Sequence, residues 1–202
     1  FLQTIAIALA VGGSLTLLCR PKNHNVFARE GFSIVSFSWL LLSAIGALPF
    51  VFSGDIPSYV DAFFETVSGF TTTGASILTN VEAMHRSNLF WRSFTHWVGG
   101  MGVLVLVTII ADKLPERSMN ILKAEMPGPI VGKLVPKTRD TSRILYLIYL
   151  GITVLVAVLL VIGGMPLFES VVHAFGTAGT GGFGVKAASI GAYDSYYLQA
   201  VI

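Results

Sequence analysis

The chain has 202 residues, of which 53% are hydrophobic and only 12% charged, and its formal net charge is +2. An average soluble domain has roughly 25% charged residues, so this composition excludes an ordinary soluble protein and predicts a membrane protein. The small net charge gives no indication of nucleic-acid binding, and the single cysteine, Cys19, excludes disulfides and cysteine-based metal sites within the chain.

Four uncharged, apolar stretches are long enough to cross a bilayer, which takes about 20 residues. They are residues 1–19, 33–53, 93–111 and 144–168, and a fifth begins near residue 196. The first stretch lacks a basic leader and is followed by Arg20 and Lys22, so we interpret it as a retained helix and not as a signal peptide. Because the chain begins without Met and stops inside the fifth stretch, we expect it to be a fragment.

Charged residues divide unevenly between the two ends of these predicted spans. If the first span runs from outside to inside, the cytoplasmic loops contain ten of the thirteen lysines and arginines, as the positive-inside rule expects. The opposite side is net acidic and would concentrate cations. Its acidic residues are Asp55, Asp61, Glu65, Glu82, Glu169 and Asp194.

Two short amphipathic segments, residues 57–69 and 166–174, each begin with a proline and predict short helices. At about 1.5 Å per residue neither can cross a bilayer, so the chain must enter, turn and leave on the same side. Each segment leads into a polar stretch, Phe70-Thr71-Thr72-Thr73-Gly74 or Phe175-Gly176-Thr177-Ala178-Gly179. Polar backbone at membrane depth is tolerated where protein buries it or where it lines a watery cavity, so we interpret both stretches as pore loops.

The pore loops repeat, with Gly74 and Gly179 lying 105 residues apart. Glycine permits the unusual dihedrals that let consecutive carbonyls face one axis, and the negative ends of the two short helices favour a cation there. Carbonyls of Thr72, Thr73, Thr177 and Ala178 are the candidate ligands for a dehydrated monovalent cation. The second stretch also contains Gly181, Gly182 and Gly184, and we match Gly179 to Gly74 because this preserves the Phe-x-Thr-x-Gly pattern.

The segments FFETVSGFTTTGAS and HAFGTAGTGGFG, placed between paired spans, resemble the Trk/Ktr superfamily of potassium uptake subunits in its TrkH-like branch. The resemblance implies an all-α polytopic membrane protein with tandem helix, pore-helix, filter-loop, helix repeats of the potassium-channel-like type. K⁺ would be the transported ion, with no cofactor, no transition-metal site and no enzymatic activity. The implied filter residues are Thr72, Thr73, Gly74, Ala75, Thr177, Ala178, Gly179 and Thr180.

The resemblance also implies how the chain is divided. Residues 1–24 would be a preceding helix and turn, 25–112 the first pore repeat, 113–141 a cytoplasmic connection and 142–202 a second, truncated repeat. Two further repeats would lie in a missing C-terminal half. We expect a homodimer in the inner or plasma membrane, with filter loops outside, basic loops in the cytoplasm and a cytosolic nucleotide-binding regulatory subunit as partner.

Several alternatives stay open at this stage. The transported ion can be Na⁺, or K⁺ and Na⁺ together, because discrimination between them turns on fine detail of the filter. A transporter of a neutral solute or an anion would place helix N-termini at the midplane, whereas the predicted short helices point their C-termini there. An intramembrane enzyme would need a nucleophile and a base, and no G-x-S-x-G occurs.

Other candidate features have simpler interpretations. Gly179-Thr180-Gly181-Gly182-Phe183-Gly184 fits G-x-G-x-x-G by chance, because no strand leads into it. His24, His85, His96 and His173 have no spacing that places two metal ligands on one face, and we interpret His96 as a helix-interface residue. Glycines 99, 100 and 102 are either a hinge or a site of close helix packing, and we favour packing.

Overall fold

The computed structural model describes residues 1–18, 28–102 and 138–202, and every regular element in these ranges is helical. In chain order they are α1 (Leu2–Leu18), α2 (Ala28–Gly46), α3 (Leu48–Ser53), α4 (Tyr59–Phe70), α5 (Arg86–Met101), α6 (Thr138–Ile162), α7 (Leu167–Ala178), a 3-10 turn (Ser189–Ala192) and α8 (Tyr196–Val201). Cys19, His24, the end of the third predicted span and most of the predicted cytoplasmic connection lie outside the described residues.

Two stretches in the described part of the chain are both long and apolar enough to cross a membrane, Ser33–Ser53 and Arg143–Ile162. A 20-residue helix is about 30 Å long, which matches the hydrocarbon thickness of a bilayer. The second stretch ends earlier than the sequence predicts, because a turn through Gly163 and Gly164 follows Ile162. Many large side chains on α6 are apolar and exposed, for example Leu147 and Leu155.

Both predicted short helices are present, as α4 and α7, and each has 12 residues. In α4, the Ser58 side chain caps the N-terminus by accepting a hydrogen bond from the Asp61 amide, and in α7 Pro166 is the N-cap residue. At about 18 Å each helix covers only part of a bilayer. The second one extends four residues beyond its predicted end and includes Thr177 and Ala178.

The main hydrophobic core joins the part of the chain around α4 to the part around α7. Val172 of α7 and Val185 lie in the same buried cluster as residues from α3, α4 and α5. Its members are Ala47, Phe50, Ile56, Ala62, Val81, Met84, Leu89, Val172 and Val185. This shared core holds the segments that follow α4 and α7 next to each other.

Candidate filter loops

The first loop, residues 71–77, leaves the C-terminus of α4 with two residues in the left-handed region. Thr72 has φ 53° and Gly74 has φ 73°. The loop stays attached to the end of the helix, because the Thr72 amide donates to the Gly69 oxygen at 3.0 Å and the Thr73 amide to the Ser68 oxygen at 2.9 Å. Thr72 is a strained position for a residue with a branched side chain, so the surrounding packing must hold it there.

The second loop, residues 179–185, repeats this backbone 108 residues later. Thr180 has φ 56° and Gly182 has φ 88°. The Thr180 amide donates to the Thr177 oxygen at 3.0 Å and the Gly181 amide to the Gly176 oxygen at 2.9 Å, which reproduces both hydrogen bonds of the first loop. Each loop thus has a left-handed residue on either side of one residue with a negative φ, which is Thr73 in the first loop and Gly181 in the second.

This backbone match corrects the predicted register. Gly179 caps α7 with φ −76°, so it corresponds to Thr71 and not to Gly74, and the counterpart of Gly74 is Gly182. Thr177 and Ala178 lie in the last turn of α7 and not in an extended loop. The sequence pattern does not decide between the two registers, since Thr177-Ala178-Gly179 and Thr180-Gly181-Gly182 both share Thr-x-Gly with Thr72-Thr73-Gly74.

The two loops touch at Gly74 and Gly181. A Cβ atom built on Gly74 would lie closer to the Gly181 oxygen than the 3.0 Å limit that real Cβ atoms respect. Gly182, in contrast, has open space around its Cα and needs glycine for its dihedral angle alone. Of the predicted filter residues, Gly74 is the one for which a contact with the second loop is shown, and its partner there is the Gly181 oxygen.

Helix α5 packs behind both loops through glycines. A Cβ on Gly99 would lie within 3.0 Å of the Phe70 carbonyl, at the start of the first loop, and one on Gly100 would lie 2.7 Å from Gly179 Cα. These contacts favour the close-packing interpretation for Gly99 and Gly100, whereas Gly102 is the C-cap residue of α5 with φ 70°. His96, on the same helix, is fully buried and stacks on Phe183 with ring centres 3.9 Å apart.

A buried ion pair joins α4 to α5. Arg92 Nε donates to Glu65 Oε1 at 2.5 Å, and the two side chains are 4% and 0% exposed. Sequence reasoning missed this pair, because it counted Glu65 only among the acidic residues of the predicted cation-attracting face. Their 27-residue separation contains no periodic pattern that would pair them.

Several acidic residues of the predicted cation-attracting face have protein partners. Glu82 accepts a hydrogen bond from the Ala187 amide at 3.0 Å, and this bond lowers the pKa of the Glu82 carboxyl. Asp55 accepts from the Asn88 side chain at 2.6 Å, and Tyr193 donates to Glu169. In the part of the chain that the structure describes, no group of three or more His, Cys, Asp or Glu residues is arranged to hold a metal ion.

Comparison with known proteins identifies the fold. All residues from 1 to 202 match the family model of TrkH, described as a cation transport protein. The chain belongs to the TrkH family. It is 41% identical to the Trk system potassium uptake protein TrkH of Salmonella typhimurium LT2 and 36% identical to TrkG of Escherichia coli K12. Each alignment covers 100% of this chain but 42% of the relative, so the chain spans less than half the length of these relatives.

The crystal structure of the potassium transporter TrkH from Vibrio parahaemolyticus is similar over 99% of this chain and 40% of that protein. Its TM-score is 0.79 at 34% sequence identity. The predicted fold class, an all-α membrane protein, is confirmed by this match and by the family model. The TrkH family consists of transport proteins, so the chain belongs to a transporter family and not to a family of enzymes.

Proposed function

We propose that the protein containing this chain transports K⁺ across a membrane and that the two loops contribute main-chain oxygens to the ion path. The observation that carries this proposal is the matched pair of Thr-x-Gly loops, each with left-handed dihedrals at its first and third residue. Relatives of the chain are named as potassium uptake proteins. A transporter that strips water from K⁺ needs several oxygens facing one path, and such dihedrals permit that arrangement.

The proposed ligands come from equivalent positions of the two loops. In the first loop they are the carbonyls of Thr72, Thr73, Gly74 and Ala75, and in the second loop those of Thr180, Gly181, Gly182 and Phe183. Thr180 keeps its predicted role, whereas Thr177, Ala178 and Gly179 act as the end of α7. The Thr177 oxygen accepts the Thr180 amide, so it is a turn acceptor and not a free ligand.

Helix dipoles supply a favourable field for the cation. Both α4 and α7 end where the loops begin, and the C-terminus of a helix carries a partial charge of about −0.5. Glu65, a buried carboxylate on α4, is balanced by Arg92. Selection would therefore depend on oriented main-chain dipoles and not on a charged ligand that binds ions too tightly to release them.

Two loops do not surround an ion, so we infer that residues outside this chain complete a ring of four quarters. Residues 25–112 and 142–202 would be the first two pore repeats, joined by the connection 113–141 and preceded by 1–24. The asymmetry of Lys and Arg favours basic loops in the cytoplasm and filter loops outside. A homodimer and a cytosolic nucleotide-binding regulatory subunit complete the proposed assembly.

The test is ion flux through the full-length protein in liposomes. Rubidium uptake, as a tracer for K⁺, should exceed uptake into empty liposomes, and external K⁺ should compete with it far better than external Na⁺. Equal competition by the two ions would favour a Na⁺ or mixed cation transporter. Absence of flux of either ion, in a preparation that is folded and correctly inserted, would refute the proposal.

A further inference from the structure

The Glu65–Arg92 ion pair joins two helices, and both of its side chains also form hydrogen bonds with the two loops. Burying two charges is expensive, and a buried ion pair is often no more stabilising than apolar residues of the same size. Stability alone therefore does not explain why this ion pair is present. Its remaining hydrogen bonds indicate a further role.

Glu65 holds the outgoing part of the first loop. Its Oε1 accepts from Ser76 Oγ at 2.9 Å, and its Oε2 accepts from the Ile77 amide at 3.1 Å. Ser76 and Ile77 directly follow Ala75, the last proposed ligand of that loop. The carboxylate thus ties the first loop to the pore helix α4 from behind.

Arg92 holds the equivalent part of the second loop. Its Nη1 donates to the Gly184 oxygen at 3.1 Å, and its Cζ lies 3.5 Å from the ring centre of Phe183. His96 stacks on the same ring at 3.9 Å. The guanidinium of Arg92 and the imidazole of His96 would overlap if both lay on the same face of the Phe183 ring. They therefore lie on opposite faces, and the ring packs between them.

We propose that the Glu65–Arg92 pair is a positioning device that fixes the two loops relative to each other and thereby sets the ion discrimination of the filter. This inference rests on the proposed function and extends it. Discrimination among alkali cations depends on the number, spacing and field of the coordinating carbonyls, so a small shift of one loop changes it. The pair also keeps the buried arginine neutralised, so that it does not repel the cation.

The test uses the full-length protein in liposomes and the ratio of rubidium to sodium uptake. Arg92→Lys retains the charge, but one ammonium group cannot replace a planar fork that pairs with Glu65, bonds Gly184 and stacks on Phe183. We expect the ratio of rubidium to sodium uptake to fall about tenfold, which corresponds to the free energy of about one charge-assisted hydrogen bond. The matched control is Arg86→Lys, an exposed arginine on the same helix, which should leave the ratio unchanged.

A ratio of two ions does not depend on how many molecules are folded, so a purely structural defect would lower both uptakes and leave the ratio alone. Ser76→Ala is a milder second variant that removes one bond to Glu65, and we expect a smaller fall. Combining it with Arg92→Lys should give less than the product of the two effects, because both act through Glu65.

If Arg92→Lys fails to reach the membrane, Ser76→Ala decides the question by the same ratio. Wild-type ratios in every variant that transports ions would overturn the inference while leaving the proposed function in place. A folded wild-type protein that transports neither ion would overturn both.

Discussion

Gly74 packs directly against the main-chain oxygen of Gly181, so each loop limits the space available to the other. A Cβ atom on Gly74 would come within 3.0 Å of that oxygen, and the left-handed φ of 73° disfavours a side chain independently. The first loop therefore depends on the second for its shape. Substitutions at this contact should affect both loops.

Gly74→Ala should impair ion discrimination in the full-length protein. The left-handed backbone alone costs an alanine about 1–2 kcal/mol, and the clash with the Gly181 oxygen adds to this by pushing the loops apart. The measurement is rubidium uptake in the presence of competing sodium. Gly12→Ala on α1, where a Cβ meets nothing within 4 Å, is the control. Unchanged rubidium uptake with unchanged exclusion of sodium would contradict this prediction.

Gly182 and Gly179 should respond differently to the same pair of substitutions. Gly182 has open space but a left-handed φ, so Gly182→Asn should retain more rubidium uptake than Gly182→Val, because asparagine tolerates this region and a β-branched residue does not. Gly179 has an ordinary φ, but its Cβ would clash with the His96 oxygen.

Asparagine and valine should consequently be equally harmful at Gly179. If valine at 182 performs as well as asparagine, the left-handed dihedral is not required there and the corrected register fails. Both positions are assayed in the full-length protein, with uptake normalised to the amount of protein in the membrane.

Gly99→Ala should lower the thermal stability of the protein, whereas Gly151→Ala should not. Both glycines lie inside helices, where alanine is intrinsically better by about 1 kcal/mol. A Cβ on Gly99 would clash with the Phe70 oxygen, but a Cβ on Gly151 meets nothing within 4 Å. The Tm in detergent, followed by tryptophan fluorescence, distinguishes packing from a hinge. An unchanged or raised Tm in Gly99→Ala, accompanied by altered flux, would support the hinge.

Glu82 should contribute to stability in a pH-dependent way. Its hydrogen bond from Ala187 lowers the pKa of the carboxyl below the ordinary value of 4.5. A group whose pKa is lower in the folded state stabilises the fold above its unfolded pKa, and this contribution is lost as the pH falls through the folded pKa.

Glu82→Gln should therefore lower the Tm at pH 7, and the difference from wild type should vanish as the pH is taken below 4.5. Asp194→Asn removes another exposed carboxylate and should leave the Tm at pH 7 unchanged. A difference between wild type and Glu82→Gln that persists at low pH would show that the charge of Glu82 is not its source.

Much of the architecture could be read from local patterns. Long uncharged stretches predicted the apolar helices, and the prolines at 57 and 166 marked the two short helices, because both signals depend on chemistry within a few neighbouring residues. The first Thr-x-Gly loop was located for the same reason.

The register of the second loop was not predictable by the rule we applied. The sequence comparison matched residues at a constant offset of 105, which assumes that both short helices end at equivalent residues. In the structure α7 continues through Phe175, Gly176, Thr177 and Ala178. Nothing in that run stops a helix, so the turn forms three residues later than expected. A comparison of Thr-x-Gly triplets would not have decided it, because Thr177-Ala178-Gly179 fits the pattern as well as Thr180-Gly181-Gly182.

Composition and periodicity thus specify that this chain is a helical membrane protein with two helix-ending glycine loops, since hydrophobicity and glycine's freedom are properties of short segments. Folding alone brings Gly74 against Gly181, and Arg92 between Glu65 and Phe183. Those contacts join residues 27 to 107 positions apart, and they exist because a common core and helix α5 hold both loops together.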